Sequence, residues 1–190
     1  MSPVRKLGVL LLAGIVFGVL VAVIKGQDTG VRDVLGNTSA PWVVVPFLAG
    51  TRYPRVWQAA LVGIATTIAA LLGFYVAEAA ILDLGPHPWY TDLRLTLGAL
   101  RVYGTWGLFS GLLYGTLGGI WATRSLVAAP IAVGLAFVCE PLIVFLVVQK
   151  GVWGGDLLDY PWIWVTEVLI GFAAIAFVVA KGQDRPTQLS

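Results

Sequence analysis

Three glutamates, Glu78, Glu140 and Glu167, and one arginine, Arg101, fall inside long apolar runs, whereas all seven aspartates fall in the polar stretches between and beyond them. A charge near the middle of a membrane-crossing helix costs roughly 2.5–3.5 kcal/mol on insertion scales, so each is expected to have a partner or a purpose. Three carboxylates and one guanidinium leave a formal charge of minus two. One carboxylate is expected to pair with Arg101, and at least one other to hold a proton or await a cation. Trp89, Tyr90, Trp153, Trp162 and Trp164 are expected at the same level, with Tyr103 just beyond Arg101. Aromatic faces beside carboxylates suit an organic cation or a flat heteroaromatic ring. The expected substrate-binding set is therefore Glu78, Arg101, Glu140, Glu167, Trp89, Trp153, Trp162, Trp164 and Tyr103. Trp and Tyr also form interfacial belts in membrane proteins generally, and His87 between Pro86 and Pro88 reads as loop chemistry.

Other chemistries lack their residues. A single cysteine, Cys139, allows neither a disulfide framework nor a thiolate metal site, and a single histidine excludes a multi-histidine metal or bis-histidine haem centre. The sequence holds no H-E-x-x-H, no G-x-S-x-G and no paired aspartates, and Ser110 has no histidine in reach of its helix. No cofactor and no enzymatic activity are expected. The net charge of +2 is too small and too scattered for nucleic acid.

The elements that must position these groups are set by hydropathy. With 58% hydrophobic residues, 12% charged residues and a mean hydropathy of +0.88, the chain is read as one polytopic all-α membrane domain spanning residues 1–190. Six helices are expected at about 7–24, 39–51, 55–82, 97–123, 126–148 and 161–180. The second is short: a dozen residues rise about 18 Å against a hydrocarbon core of about 30 Å. It is therefore either a strained crossing or a re-entrant half-helix, with Ser39 as candidate cap, Pro41 in its first turn and Pro46 interrupting it. The stretch 27–37, carrying Asp28, Arg32 and Asp33, reads as a wet loop.

The fourth helix carries Gly107, Gly111, Gly115 and Gly119 at steps of four, one groove for the close approach of a neighbouring backbone. Arg101 lies on the same broad side and is expected to point into protein, with the rest of the chain arranged around this helix. Gly14 and Gly18 give the first helix a similar contact, and Ala59, Gly63, Thr66, Ala70, Gly73 and Ala77 form a seam down the third.

Six crossings with the N-terminus inside put Arg5, Lys6, Arg52, Arg55, Arg124, Lys181 and Arg185 in the cytoplasm, against Lys25, Arg32, Arg94, Arg101 and Lys150 outside. All four buried charges then lie in the outer half of the bundle. The first apolar run has no A-x-A cleavage site after it and reads as a retained helix of a cytoplasmic-membrane protein.

Six helices in 190 residues, the small residues Ala13, Gly14 and Gly18 on the first, and an outward polar aromatic site resemble the substrate-binding S components of energy-coupling-factor vitamin transporters. That resemblance implies a solute-binding subunit with a membrane partner. The stretch 36–42 (Gly-Asn-Thr-Ser-Ala-Pro-Trp) with Phe47–Gly50 resembles small uncharacterised multi-pass proteins of actinobacteria, which implies no activity. The reading is a membrane-embedded binding or transport subunit for a cationic or heteroaromatic solute, with the bilayer, the solute and another membrane subunit as partners. The alternative is an accessory subunit that docks into a larger complex through its glycine-lined helices.

Overall fold

The computed structural model describes residues 2–26, 30–81, 89–151 and 155–183. The protein is all-α: among the described residues lie α1 (Pro3–Lys25), α2 (Gly30–Asn37), α3 (Ala40–Gly50), α4 (Val56–Ile81), α5 (Trp89–Arg124), α6 (Ala128–Gln149) and α7 (Pro161–Gln183), with a 3₁₀ turn at Gly155–Leu158. Runs this apolar favour helices because a helix satisfies its own N–H and C=O groups where no water can. Four of them, α1, α4, α6 and α7, are long and apolar enough to cross a membrane.

The central helix is α4 and not the glycine helix α5. In its apolar stretch 67% of residues are buried, against 17–22% for α1, α6 and α7. The reason lies in which faces carry small residues. Toward α1, Gly14 and Gly18 meet the backbone of Thr66, Ala70 and Phe74, and Gly73 meets Ile15. Toward α5, Gly111 and Gly115 meet Gly63, while Gly107 meets Leu71 and Gly119 meets Ala59. A Cβ on Gly14 would stand 2.7 Å from the Thr66 carbonyl oxygen, and one on Gly115 2.6 Å from that of Ala59. Small residues on two faces let α4 take α1 and α5 as close neighbours, while α5 also meets α3 through Gly115 and Gly118. Trp42 closes the α1–α4–α3 junction, edge-on to Phe17 at 5.3 Å and to Phe74 at 5.6 Å.

Helix directions follow from these contacts. Gly14 lies level with Thr66 and Lys25 with Glu78, so α1 and α4 run parallel. Gly107 sits against Leu71 and Gly119 against Ala59, so α5 runs antiparallel to α4. Lys6, near the start of α1, donates to the Arg52 carbonyl, which places the end of α3 back at the level where α1 began. The short segment therefore runs antiparallel to α1. Its 11 residues rise only about 16 Å, so its N-terminus starts well below the end of the bundle.

The space above it is filled by α2, where the sequence indicated a wet loop. Arg32 donates to the carbonyls of Val23 and Ile24, covering acceptors that the last turn of α1 leaves open, and Gly36 lies against the backbone of Lys25. Val34 on the opposite side is 2% exposed and packs with Val144, Ile163 and Trp164. The other revised boundary is α5, which begins at Trp89 and not at 97. Tyr90, Leu93 and Leu97 keep a helical spacing through residues whose polarity resembles a loop. Finally, α6 and α7 form an antiparallel pair in close contact at Gly134 and Gly171.

Candidate functional site

The shortness of α3 creates the site. Its first N–H groups have no acceptor within the helix and start at depth, so something else must satisfy them. Ser39 does not: its side chain makes no capping bond and its backbone is already helical, at φ −95° and ψ −27°. The cap comes from α6, a hundred residues away. The Glu140 carboxylate accepts the Ser39 N–H on one oxygen and the Ala40 N–H on the other. The positive end of the helix dipole adds to the attraction.

Behind Glu140, on α7, stands Glu167. Its carboxyl lies close enough to that of Glu140 for two negative charges there to repel. Glu167 is 5% exposed, and neither of its oxygens has a donor among the described residues. Two carboxylates are acceptors only, so a bond between them requires one proton. A proton on either carboxyl would let it donate to the other. In front of Glu140 a cavity of about 410 Å³ lies between α3, α5 and α6, with Val43, Tyr114, Leu135, Ala136 and Cys139 among its walls. That volume accommodates a small ligand. The order from the cavity inward is open space, Glu140, then Glu167.

Glu78 belongs elsewhere. It pairs with Lys25 at 2.5 Å, both side chains nearly buried at 9% and 12% exposure, with the Lys25 ammonium 5.7 Å from the Phe74 ring. The cation that answers a buried carboxylate is therefore the lysine ending α1, and not Arg101. Parallel α1 and α4 bring Lys25 and Glu78 to one level, a relation that sequence spacing does not reveal. Arg101 is exposed and lines a separate groove with Tyr90, Arg94 and Gly98. Its expected inward orientation is corrected: Gly107, Gly111 and Gly115 turn toward α4, and Arg101 looks away from that contact.

The expected aromatic surround is also revised. Trp164 is buried, but its indole N–H donates to the Leu157 carbonyl and its ring packs with Val34, Val144 and Ile163. Trp162 and Tyr103 are 54% and 51% exposed. Trp153 and the Trp89 side chain lie outside the described residues, as does His87. Tyr114, which the sequence reading passed over, is the aromatic side chain that lines the cavity. Its signal was available: it follows Gly111 by three residues, one step off the glycine groove and so toward the next helix. Among the described residues no three His, Cys, Asp or Glu side chains gather in a set that could hold a metal ion.

The structure places Gly14, Gly18, Gly107, Gly111, Gly115 and Gly119 in contacts within the chain. Those faces pack against α4 and α3.

No curated protein and no solved structure matches the chain. A family model described as a family of unknown function, DUF6518, matches residues 1–189, and the chain belongs to that family.

Proposed function

For this member of the DUF6518 family we propose a role as a membrane-embedded binding or transport subunit for a small cationic solute, with the Glu140–Glu167 pair as its acidic site. All six long or traversing helices cross the cytoplasmic membrane in this reading, α3 as a short crossing roofed by α2, with the N-terminus inside. The observation that carries it is Glu167, buried, without a donor among the described residues and close to a second carboxyl. Glu78 has Lys25 and Glu140 has the start of α3, so Glu167 is the acidic group whose charge nothing in the described chain answers. A membrane protein retains so costly a group when a proton or a cation occupies it in turn.

The walls narrow the solute to a small cation with an apolar body, because they are aliphatic apart from Tyr114, Cys139 and the Ser39–Glu140 end. A heteroaromatic ligand loses support, since Trp162 and Tyr103 face outward and Trp164 is committed to the Leu157 carbonyl. With no nucleotide motif in the chain, movement of the solute draws on an ion gradient or on a partner subunit. The rival reading, an accessory subunit docking through its glycines, loses its docking surface to α4 and α3.

The test is thermal stabilisation of the purified protein by a panel of small organic amines and quaternary ammonium ions. The wild type is expected to be stabilised by at least one of them, and Glu167→Gln to lose that response. No stabilisation by any cation, or an equal shift in the variant, refutes the reading.

A further inference from the structure

The groove that takes Arg101 out of the solute site has a chemistry of its own. Tyr90, Arg94, Leu97, Gly98 and Arg101 recur at steps of three and four and share one face of α5. Leu97 packs against the cluster that includes Ile81, the last residue of α4, so the turns of α5 before Leu97 project beyond the end of its central neighbour. A groove of about 500 Å³ lies along this face, and among the described residues neither Asp nor Glu lines it. Arg94 and Arg101 are both exposed, and neither has an ion-pair partner among the described residues. Seven residues separate them, a rise of about 10.5 Å, which two long side chains can close over a group held between them. Gly98 lies in that interval and a Cβ there would meet nothing within 4 Å, so the floor is open.

We infer that this groove binds the phosphate of an anionic lipid headgroup. Guanidinium groups grip phosphate oxygens in pairs, and two of them facing one opening suit a phosphodiester. The lipid, and not a soluble phosphate, follows from position and lining. The groove lies where α5 emerges past α4, at the level of a membrane surface, and Leu93 and Leu97 give the glycerol and upper acyl chain an apolar wall. Tyr90, 62% exposed at the rim, is placed as an interfacial side chain.

The experiment is native mass spectrometry of the detergent-purified, delipidated protein titrated with phosphatidylglycerol, with phosphatidylcholine and with inorganic phosphate. Phosphatidylglycerol adducts are expected to outlast phosphatidylcholine adducts, and Arg94→Gln and Arg101→Gln each to weaken that preference roughly fivefold. Arg94→Lys/Arg101→Lys keeps both charges and is expected to retain part of it, which separates loss of the site from loss of fold. Equal retention of both lipids by the wild type, or an unchanged preference in the double Gln variant, overturns the inference. Arginine-dependent binding of inorganic phosphate that displaces phosphatidylglycerol would assign the site to a soluble phosphoanion and overturn the lipid identity. Glu140 plays no part here, so failure of the cation site leaves this result standing.

Discussion

The same chemical substitution at the two paired carboxyls should shift stability in opposite directions. Glu140 accepts one N–H on each oxygen, from Ser39 and Ala40. Glu140→Gln keeps one acceptor and turns an amide NH₂ toward the other N–H. That orphans a buried donor at a cost of about 1–3 kcal/mol. It also removes a negative charge from the N-terminus of α3, about 0.3–1 kcal/mol more. The expected loss is therefore on the order of 1.5–4 kcal/mol. Glu167→Gln breaks no such bond, because neither carboxyl oxygen has a donor to lose. The new NH₂ can donate to Glu140 without a proton having to be taken up at that site, so a gain of about 0.5–1.5 kcal/mol is expected. The assay is thermal and denaturant unfolding of both variants in one detergent at neutral pH, after size-exclusion chromatography shows a matching oligomeric state. A Glu167→Gln protein as destabilised as Glu140→Gln would mean that Glu167 has a native donor, and the paired-carboxyl argument would fall. An unperturbed Glu140→Gln protein would mean that α3 is capped in some other way.

Lys25→Met strands Glu78 in a site where it is 9% exposed, so a loss of about 3–5 kcal/mol is expected in unfolding experiments, most of it recovered in Lys25→Met/Glu78→Leu. Gly18→Ala drives a methyl into the Ala70 carbonyl and is expected to cost about 1–3 kcal/mol as α1 and α4 separate. Gly8→Ala, on the same helix with nothing within 4 Å, is the control and should hold or raise the melting temperature. Cys139 is exposed and lines the cavity, so it should react with a small membrane-permeant maleimide, and any cation that stabilises the protein should slow that labelling. Labelling at an unchanged rate would place the cation outside this cavity.

Several features of the site were legible in the residues themselves. Glutamates in apolar runs are costly wherever the helices go, so Glu140 and Glu167 could be singled out before any packing was known. Other features were hidden because they depend on which helices run parallel and at what height. By sequence Lys25 counts among the charges outside the bundle, yet it is the partner of Glu78 because α1 and α4 run side by side in the same direction. Ser39 looked like a cap by residue type, yet the acceptor arrives from α6. Arg101 was assigned inward from the glycines that follow it, although a four-residue step of roughly 400° drifts away from a fixed face within two or three turns.

Hydropathy alone determined that this chain forms apolar helices and has one short one, because a backbone removed from water must bond to itself. Periodic glycines likewise determined that some helices would pack at backbone distance. Tertiary structure decided which helix sits at the centre and which charges meet. It also decided that the shortfall in α3 exposes two N–H groups at depth, drawing in Glu140 and with it Glu167. The physical reason is that helix formation is satisfied within a few residues of sequence, whereas the partner of a buried charge is fixed only by the relative height and direction of separate helices.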